Sequence, residues 1–264
     1  MQCFIWTRIA HQKFSKSGGS NMEMYKMTVD EICALDPDLA IIPVGSLEQH
    51  GPHLPIMTDW AIAAELGKRV AEKMGAFLLP ALPISTCREH MGKKGSVWME
   101  PMTFYQMMHD IIMSLKTQGF KRVGILITHG GIFVTTPLVR DLNAKFQPDL
   151  QVALVMPESV NVQNIMETKG LHADETETSE MLAIAPETVH MDRAVDFVPA
   201  IPRPYLSYGS IFRGCPDGVW GEPTKANADK GERFLEEFAN QAVEEFNRAF
   251  DYMSNKEKFG YSDF

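Results

Sequence analysis

The chain of 264 residues is short of paired cysteines, basic charge and long apolar runs, and each shortage removes a class of protein. Its four cysteines, Cys3, Cys33, Cys87 and Cys215, form no CxxC pair, so neither a thiolate zinc site nor a disulfide framework is indicated. Reduced thiols are the cytoplasmic default. Lysine and arginine number 25 against 34 aspartates and glutamates, and the net charge of −9 is opposite to the basic face of a nucleic-acid binder. The longest apolar runs are strand-sized, so no membrane span is expected. The N-terminus lacks a sustained apolar core and an A-x-A cleavage pattern, which argues against a signal peptide. The small polar stretch 15–21 makes residues 1–24 a flexible leader, with Met22 or Met24 as an alternative start. Repeats are absent. What remains, 45% hydrophobic and 22% charged, is ordinary for a globular protein and is expected to form one domain over residues 25–264.

Hydrophobic periodicity predicts alternating strands and helices. Thr28-Val29-Asp30-Glu31 carries capping chemistry for a short helix, and the apolar run 39–44 after it reads as a fully buried strand. Apolar residues at 62, 63, 66, 70 and 74 give a helix over 60–74 closed by Gly75. Prolines restrict the run 76–83 to a short or edge strand. Thr103 is expected to cap a helix with Met107, Ile111, Ile112 and Leu115 on one face, ending at Gly119. Buried strands follow at 123–128 and 151–156, with a helix from about Pro137 between them, and a long amphipathic helix spans 225–253 with Phe234, Phe238, Ala242 and Phe246 four apart. The pattern is that of an α/β fold: a three-layer α/β/α arrangement with a mostly parallel central sheet.

Chemistry concentrates after the first buried strand, where Glu48, His50, His53 and Asp59 fall within twelve residues. Residues two apart on extended chain share a side, so Glu48 and His50 can converge, and Asp59 opens the next helix. Carboxylates with imidazole suit Zn²⁺, Mn²⁺ or Fe²⁺. The competing reading makes Asp59 a helix N-terminal charge, His53 a loop residue and Glu48 a solvated side chain. Three further places are candidates: Thr128-His129-Gly130-Gly131 at a strand end, Glu89-His90 in a glycine-bearing loop, and the acidic segment 171–179 with His172, Glu175 and Glu177. Taken singly, the first is a polar turn, the second a loop, and the third an acidic helix start that suits the dipole.

Together these motifs resemble the creatininase (creatinine amidohydrolase) family. GSLEQHGPHLPIMTDW is similar to its G-S-x-E-Q-H-G-P-H-L-P-x-x-T-D signature, and EH at 89–90, HGG at 129–131, HAxExETS at 172–179 and GVWGEPTKANADKGE at 218–232 follow in the family's order. The resemblance covers roughly residues 25–250. It implies a creatininase-like single-domain fold and a metal-dependent hydrolase holding two divalent ions (Zn, Mn or Fe). By matched position the metal ligands are Glu48, His50, Asp59, His129 and Glu177, with Asp59 as the bridge. A hydroxide held between the ions would attack a carbonyl carbon of a small, cyclic substrate. His172 matches the residue that assists leaving-group protonation, and Glu175 is expected to orient a ligand as its outer partner. Glu89, His90, Lys94, Gly130 and Gly131 are the expected substrate contacts. A homo-oligomer, a hexamer or trimer of dimers, is also implied.

Departures from the family pattern bear on substrate. Relatives read N-G-H-G-G-N where this chain has Ile127-Thr128-His129-Gly130-Gly131-Ile132, which suggests an apolar wall at Ile132. Creatininase has a glutamate two residues after the histidine, where this chain has Gly131. Lys93 and Lys94 stand where relatives have G-F-P-G-T, and could greet an anionic or polyhydroxylated substrate. Cyclic amide C–N hydrolysis is the first expectation. Ring opening of a cyclic diketone derived from inositol (3-dehydro-scyllo-inosose-type C–C hydrolysis) is the alternative, and a catalytically silent metal-binding scaffold is the second.

Overall fold

A computed structural model describes residues 23–260. The expected leader lies outside the described residues, apart from Glu23 and the buried Met24, which opens a single 3-10 turn. Helix α1 (Val29–Leu35) carries the expected capping box: the Thr28 hydroxyl accepts from the Glu31 N–H while the Glu31 carboxylate accepts from the Thr28 N–H.

Strands β1 (Leu39–Val44), β2 (Phe77–Leu78), β3 (Arg122–Ile127) and β4 (Gln151–Val155) form one sheet in the order β2-β1-β3-β4. Every pairing is parallel, and β1 lies against β3 residue for residue from Leu39↔Arg122 to Val44↔Ile127. The prolines after Leu78 leave β2 a two-residue edge strand, as expected. Parallel strands need crossovers, supplied by helices α2 (Thr58–Met74), α3 (Pro101–Thr117) and α4 (Thr135–Phe146). Helices α5 (Glu175–Ile184), α6 (Ala228–Ser254) and the short α7 (Lys256–Phe259) complete the chain.

The alternation of β1 side chains sorts the helices into two layers. Leu39 and Ile41 face one cluster with Leu66 and Val70 of α2, Met181 of α5 and Phe238, Ala242 and Phe246 of α6. Ala40, Ile42 and Val44 face the other, with Phe104, Met108, Ile112 and Leu115 of α3 and Leu138 and Leu142 of α4. The result is the expected three-layer α/β/α arrangement. Each fully buried leucine, isoleucine or phenylalanine contributes about 1.5–3 kcal/mol, so both faces hold the sheet firmly.

Four helix starts differ from expectation, and the first is α2, which begins at Thr58 rather than residue 60. Helix α3 begins at Pro101, with Glu100 as N-cap and Thr103 inside the first turn, because a proline's fixed φ and missing N–H suit the first helical position. Its buried stripe is Phe104, Met108, Ile112 and Leu115, which leaves Met107 and Ile111 half-buried. Helix α4 starts two residues early, at Thr135. Helix α6 starts at Ala228 because the Asn227 side chain accepts from the Lys230 N–H.

The chain runs from β1 outward to β2 and then returns to β3 on the opposite side of β1. The strand order therefore reverses between β1 and β3, and open α/β sheets leave a crevice there at the carboxyl ends of the strands.

Candidate metal centre

Gly45 ends β1 and brings the next strand end and helix start together. A Cβ at Gly45 would lie 2.5 Å from the Asp59 carbonyl, so only glycine lets the first turn of α2 approach this closely. The Thr128 hydroxyl, one residue past β3, donates to that same Asp59 carbonyl at 2.8 Å. Asp59 is thereby fixed between the ends of β1 and β3, in the crevice that the topology opens.

Five of the expected ligands converge on this point. His50 Nε2 is 3.3 Å from Asp59 Oδ1 and 3.5 Å from Glu177 Oε2. His129 Nδ1 is 3.1 Å from Glu48 Oε2 and 3.3 Å from Asp59 Oδ2. The two oxygens of Asp59 thus address two different imidazoles, Oδ1 facing His50 and Oδ2 facing His129. The buried Ser46 hydroxyl lies 2.7 Å from Glu48 Oε2 and 2.9 Å from Asp59 Oδ2 and orients both carboxylates. Three overlapping groups place ligand atoms within 4.8 Å of one another: Glu48 with His90 and His129, Glu48 with His50 and His172, and His50 with Asp59 and Glu177.

Buried polar atoms normally find hydrogen-bond partners, and here several do not. Glu48 Oε1, His50 Nε2 and His129 Nε2 are buried without a hydrogen bond. His129 Nε2 faces Glu89 Oε1 at 3.3 Å, while its Nδ1, with His50 Nε2 and the oxygens of Glu48, Asp59 and Glu177, makes a donor set that fits divalent cations, and the hard oxygen and borderline nitrogen donors suit zinc or manganese. Burial pushes the Glu48 carboxyl up to about 7, whereas Asp59 is held well below the carboxylate range by His50 and His129 despite its burial.

Around the ligands lies a second imidazole pair. His172 Nε2 is 2.6 Å from the Gln49 carbonyl, and its Nδ1 faces Glu48 Oε1 at 3.6 Å. His90 Nε2 is 3.2 Å from Glu48 Oε1. Burial holds both rings well below the usual imidazole range, with His50 adding to the effect on His172 and His172 to that on His90. His53 stays outside the cluster: its Nε2 contacts the Thr178 hydroxyl at 2.9 Å, and burial lowers it to about 4.

Helix α5 delivers Glu177. Asp174 is its N-cap, accepting from the N–H groups of Thr176 at 2.8 Å and Glu177 at 3.0 Å. Ala173 before it has φ 49°, a left-handed conformation costing a non-glycine residue about 1–2 kcal/mol. That turn aims the Ala173 N–H at the Glu177 carboxylate. Glu175 points elsewhere. Its carboxylate accepts from the N–H groups of Glu167 and Thr168, the Thr168 hydroxyl and Lys230 Nζ, and touches none of the cluster. The geometry gives it the role of an anchor for α6 and the preceding loop rather than partner to a ligand, because every donor around it comes from those segments. Glu180, which the sequence reading passed over, is buried on the same helix, and burial followed by the charges of Glu177 and Asp174 raises it well above the carboxylate range.

A cavity of about 660 Å³ opens above the cluster, its lining including Glu89, His90, His129, Gly130, Gly131, His172 and Glu177. A Cβ at Gly131 would lie 1.8 Å from Glu89 Oε1, so the Glu89 carboxylate fills the space a side chain at 131 would take. Lys94 is exposed and absent from the lining, and Lys93 turns to the Phe212 ring and the Pro216 carbonyl. The cations at the mouth are instead Arg88 and Arg203, the latter paired with Glu158 at 2.8 Å. Ile132 is fully buried in the sheet core, and Phe133 takes the cavity wall in its place. No local sequence signal marks Arg203 or Phe133, since long-range packing alone brings them to the site.

The family model described as creatinine amidohydrolase (creatininase) matches residues 25–246. A 3-dehydro-scyllo-inosose hydrolase from Thermotoga maritima is 30% identical over 247 residues, 79% of each chain. A creatinine amidohydrolase from Pseudomonas putida is 28% identical, covering 74% of this chain and 84% of its own. The solved structure of a mutant creatininase of Zn-Zn type superposes with a TM-score of 0.74 at 25% identity, over 88% of this chain and 99% of that one. Among the described residues no helix is long and apolar enough to cross a membrane.

Proposed function

The chain belongs to the creatinine amidohydrolase family of hydrolases, and from that premise we propose that it opens a small ring by adding water at a carbonyl carbon, a cyclic amide C–N bond being the first reading. The observation that carries the proposal is the Asp59 carboxylate set between His50 and His129 among buried ligand atoms that have no hydrogen bond. Glu48, Asp59 and His129 would hold one divalent ion, and His50, Asp59 and Glu177 the other. Such ions supply a Lewis acid for the carbonyl oxygen and lower the pKa of water toward neutrality.

The remaining steps fall to the chain itself. His172, whose Nε2 lies 2.6 Å from the Gln49 carbonyl and 3.1 Å from the Gln49 amide nitrogen, turns Nδ1 toward the cluster, where it would take a proton from attacking water and hand it to the leaving nitrogen. Glu89, His90 and the Gly130–Gly131 backbone border the space in which the ring must sit. We extend the proposal to a homo-oligomer acting in a reducing, cytoplasmic setting, in keeping with the free buried thiols Cys87 and Cys215.

A second reading, C–C ring opening of an inosose-type ketone, is favoured by the 30% identity to the Thermotoga enzyme. Arg88, Glu89, Arg203 and Ser207 also offer a polyhydroxylated ring several hydrogen-bonding partners. The test is metal content and turnover of the native chain and Asp59→Ala on cyclic amides and inositol-derived ketones. Two metals per chain, both reduced in the variant together with turnover, are expected. Released ammonia or amine marks the first reading, and a keto acid free of nitrogen marks the second. Unchanged metal in Asp59→Ala would remove Asp59 as the bridge.

A further inference from the structure

The cation expected beside the site from Lys93 and Lys94 is supplied instead by the distant Arg203, which sits in a shaped seat. Arg203 opens a 3-10 turn (Arg203–Tyr208) with Pro202 before it and Pro204 after it, so a fixed φ on either side restrains its backbone. Its Nη2 joins the two loops that leave the carboxyl ends of β3 and β4, lying 3.4 Å from the Gly130 carbonyl and 2.8 Å from Glu158 Oε1. A Cβ at Gly130 would come within 2.8 Å of that nitrogen, so a side chain next to His129 would push the guanidinium off its seat.

The guanidinium has donors to spare. Among the described residues its Nε and Nη1 make no hydrogen bond, and the residue lines the cavity above the ligand cluster. The pairing with Glu158 is open to exchange. Its two side chains are 42% and 47% exposed, and an ion pair that wet is weak, so an incoming carboxylate can share Arg203 or displace Glu158. Arginine prefers a carboxylate to a neutral oxygen because charge and fixed N–H donors act together.

Other lining residues say which part of a substrate reaches it. Glu89 and Glu177 face His129 at 3.3 Å and His50 at 3.5 Å, so carboxylates already occupy the floor and an anionic group is better held at the mouth. Arg88, the other cation there, is paired with Glu100 outside the lining. Phe133, Leu171, Leu206 and Ile211 add apolar surface. A cavity of about 660 Å³ falls among pockets of roughly 300–1,000 Å³ that hold drug-sized ligands, and gives more room than a bare ring fills.

The geometry points to Arg203 as a specificity-determining residue that reads a carboxylate carried by the substrate, at the end remote from the bond that is hydrolysed. The substrate class is then a ring with an apolar body and an anionic side group. This deepens the hydrolase reading above and rests on it for the placement of the reacting carbonyl at the metal centre.

The test uses probes anchored at the metals. Alkyl hydroxamates chelate zinc through two oxygens, and a series of graded length ending in a carboxylate is titrated calorimetrically into the zinc-loaded chain beside carboxamide and alcohol counterparts. At the best length the carboxylate should bind at least about 10-fold tighter than either neutral form, the scale of one charge-assisted hydrogen bond, and rising salt should narrow the gap. Arg203→Gln should abolish the preference while zinc content and the affinity of the neutral probes stay unchanged. Glu158→Gln removes the competing carboxylate and should widen the gap by about two- to fivefold. Equal binding of charged and neutral probes across the series overturns the proposal, as does a preference that survives Arg203→Gln. Should Arg203→Gln not fold, an unchanged gap in Glu158→Gln, or a preference lost in Arg88→Gln alone, overturns the assignment equally. An alcohol that binds best would give the mouth to a polyhydroxylated ring and overturn it too. If no hydroxamate binds at all, the metal-centre reading fails and the proposal with it, an outcome distinct from a wrong assignment of Arg203.

Discussion

Replacing Glu175 by glutamine separates architecture from chemistry, because sequence position makes this residue a candidate outer partner of a metal ligand while geometry makes it an anchor. The carboxylate is surrounded by donors only: Thr168 N at 2.8 Å, Glu167 N at 3.0 Å, the Thr168 hydroxyl at 2.8 Å and Lys230 Nζ at 2.6 Å. An amide in its place turns an NH₂ toward one of them and leaves that donor unpaired, which costs about 1–3 kcal/mol. The charge-assisted bond to Lys230 is weakened as well, a further loss of about 1.5–3 kcal/mol for a hydrogen bond to a charged group. Lys230 keeps Glu167 at 2.6 Å and the Lys225 carbonyl at 2.9 Å, which favours the lower end of the total, about 2.5 kcal/mol.

The pH dependence follows from the direction of the shift. Although burial opposes it, Lys230 and the surrounding N–H groups hold the Glu175 carboxyl below its ordinary value. A carboxylate depressed in the folded state contributes its full stability above the unfolded pKa of about 4.3 and loses it as pH falls through the lower, folded pKa. Urea denaturation should therefore give Glu175→Gln a lower midpoint at unchanged slope at pH 7, with the gap from the native chain closing below about pH 4. Metal content should be unaltered. Loss of metal or turnover with stability unchanged would refute the anchor and return Glu175 to the site.

Two further substitutions probe the centre. His172→Asn should retain metal and lower kcat by about 10²–10⁴, since general acid–base groups contribute on that scale, with steady-state kinetics and metal analysis as the check. Gly45→Ala places a Cβ 2.5 Å from the Asp59 carbonyl, and because the obstacle is backbone, the first turn of α2 must move. Reduced metal occupancy and a loss of stability of about 1–3 kcal/mol, the scale of overpacking, are expected from metal analysis and denaturation.

Much of this protein was determined by its sequence. Strands β1 and β3 were legible because a strand buried on both faces is apolar throughout, and helices α2 and α6 because their apolar residues recur at helical period. The family was legible because its motifs, the stretch from Glu48 to Asp59 first among them, stand in this chain in the family's order. Helix starts were less so: Pro101 and Thr103 both carry start signals, and local geometry chose the proline. Only the tertiary structure decided where side chains point. Glu175 and Glu177 are two apart in one acidic run, yet the helical turn sends one to Lys230 and the other to His50. Ile132 and Phe133 are adjacent, and one enters the sheet core while the other lines the cavity. Lys94 reads as a candidate substrate contact but lies outside the cavity, whereas Arg203, more than 70 residues beyond His129, reaches its mouth. Periodicity records which face of an element is buried, but what that face meets is set by packing between segments far apart in the chain.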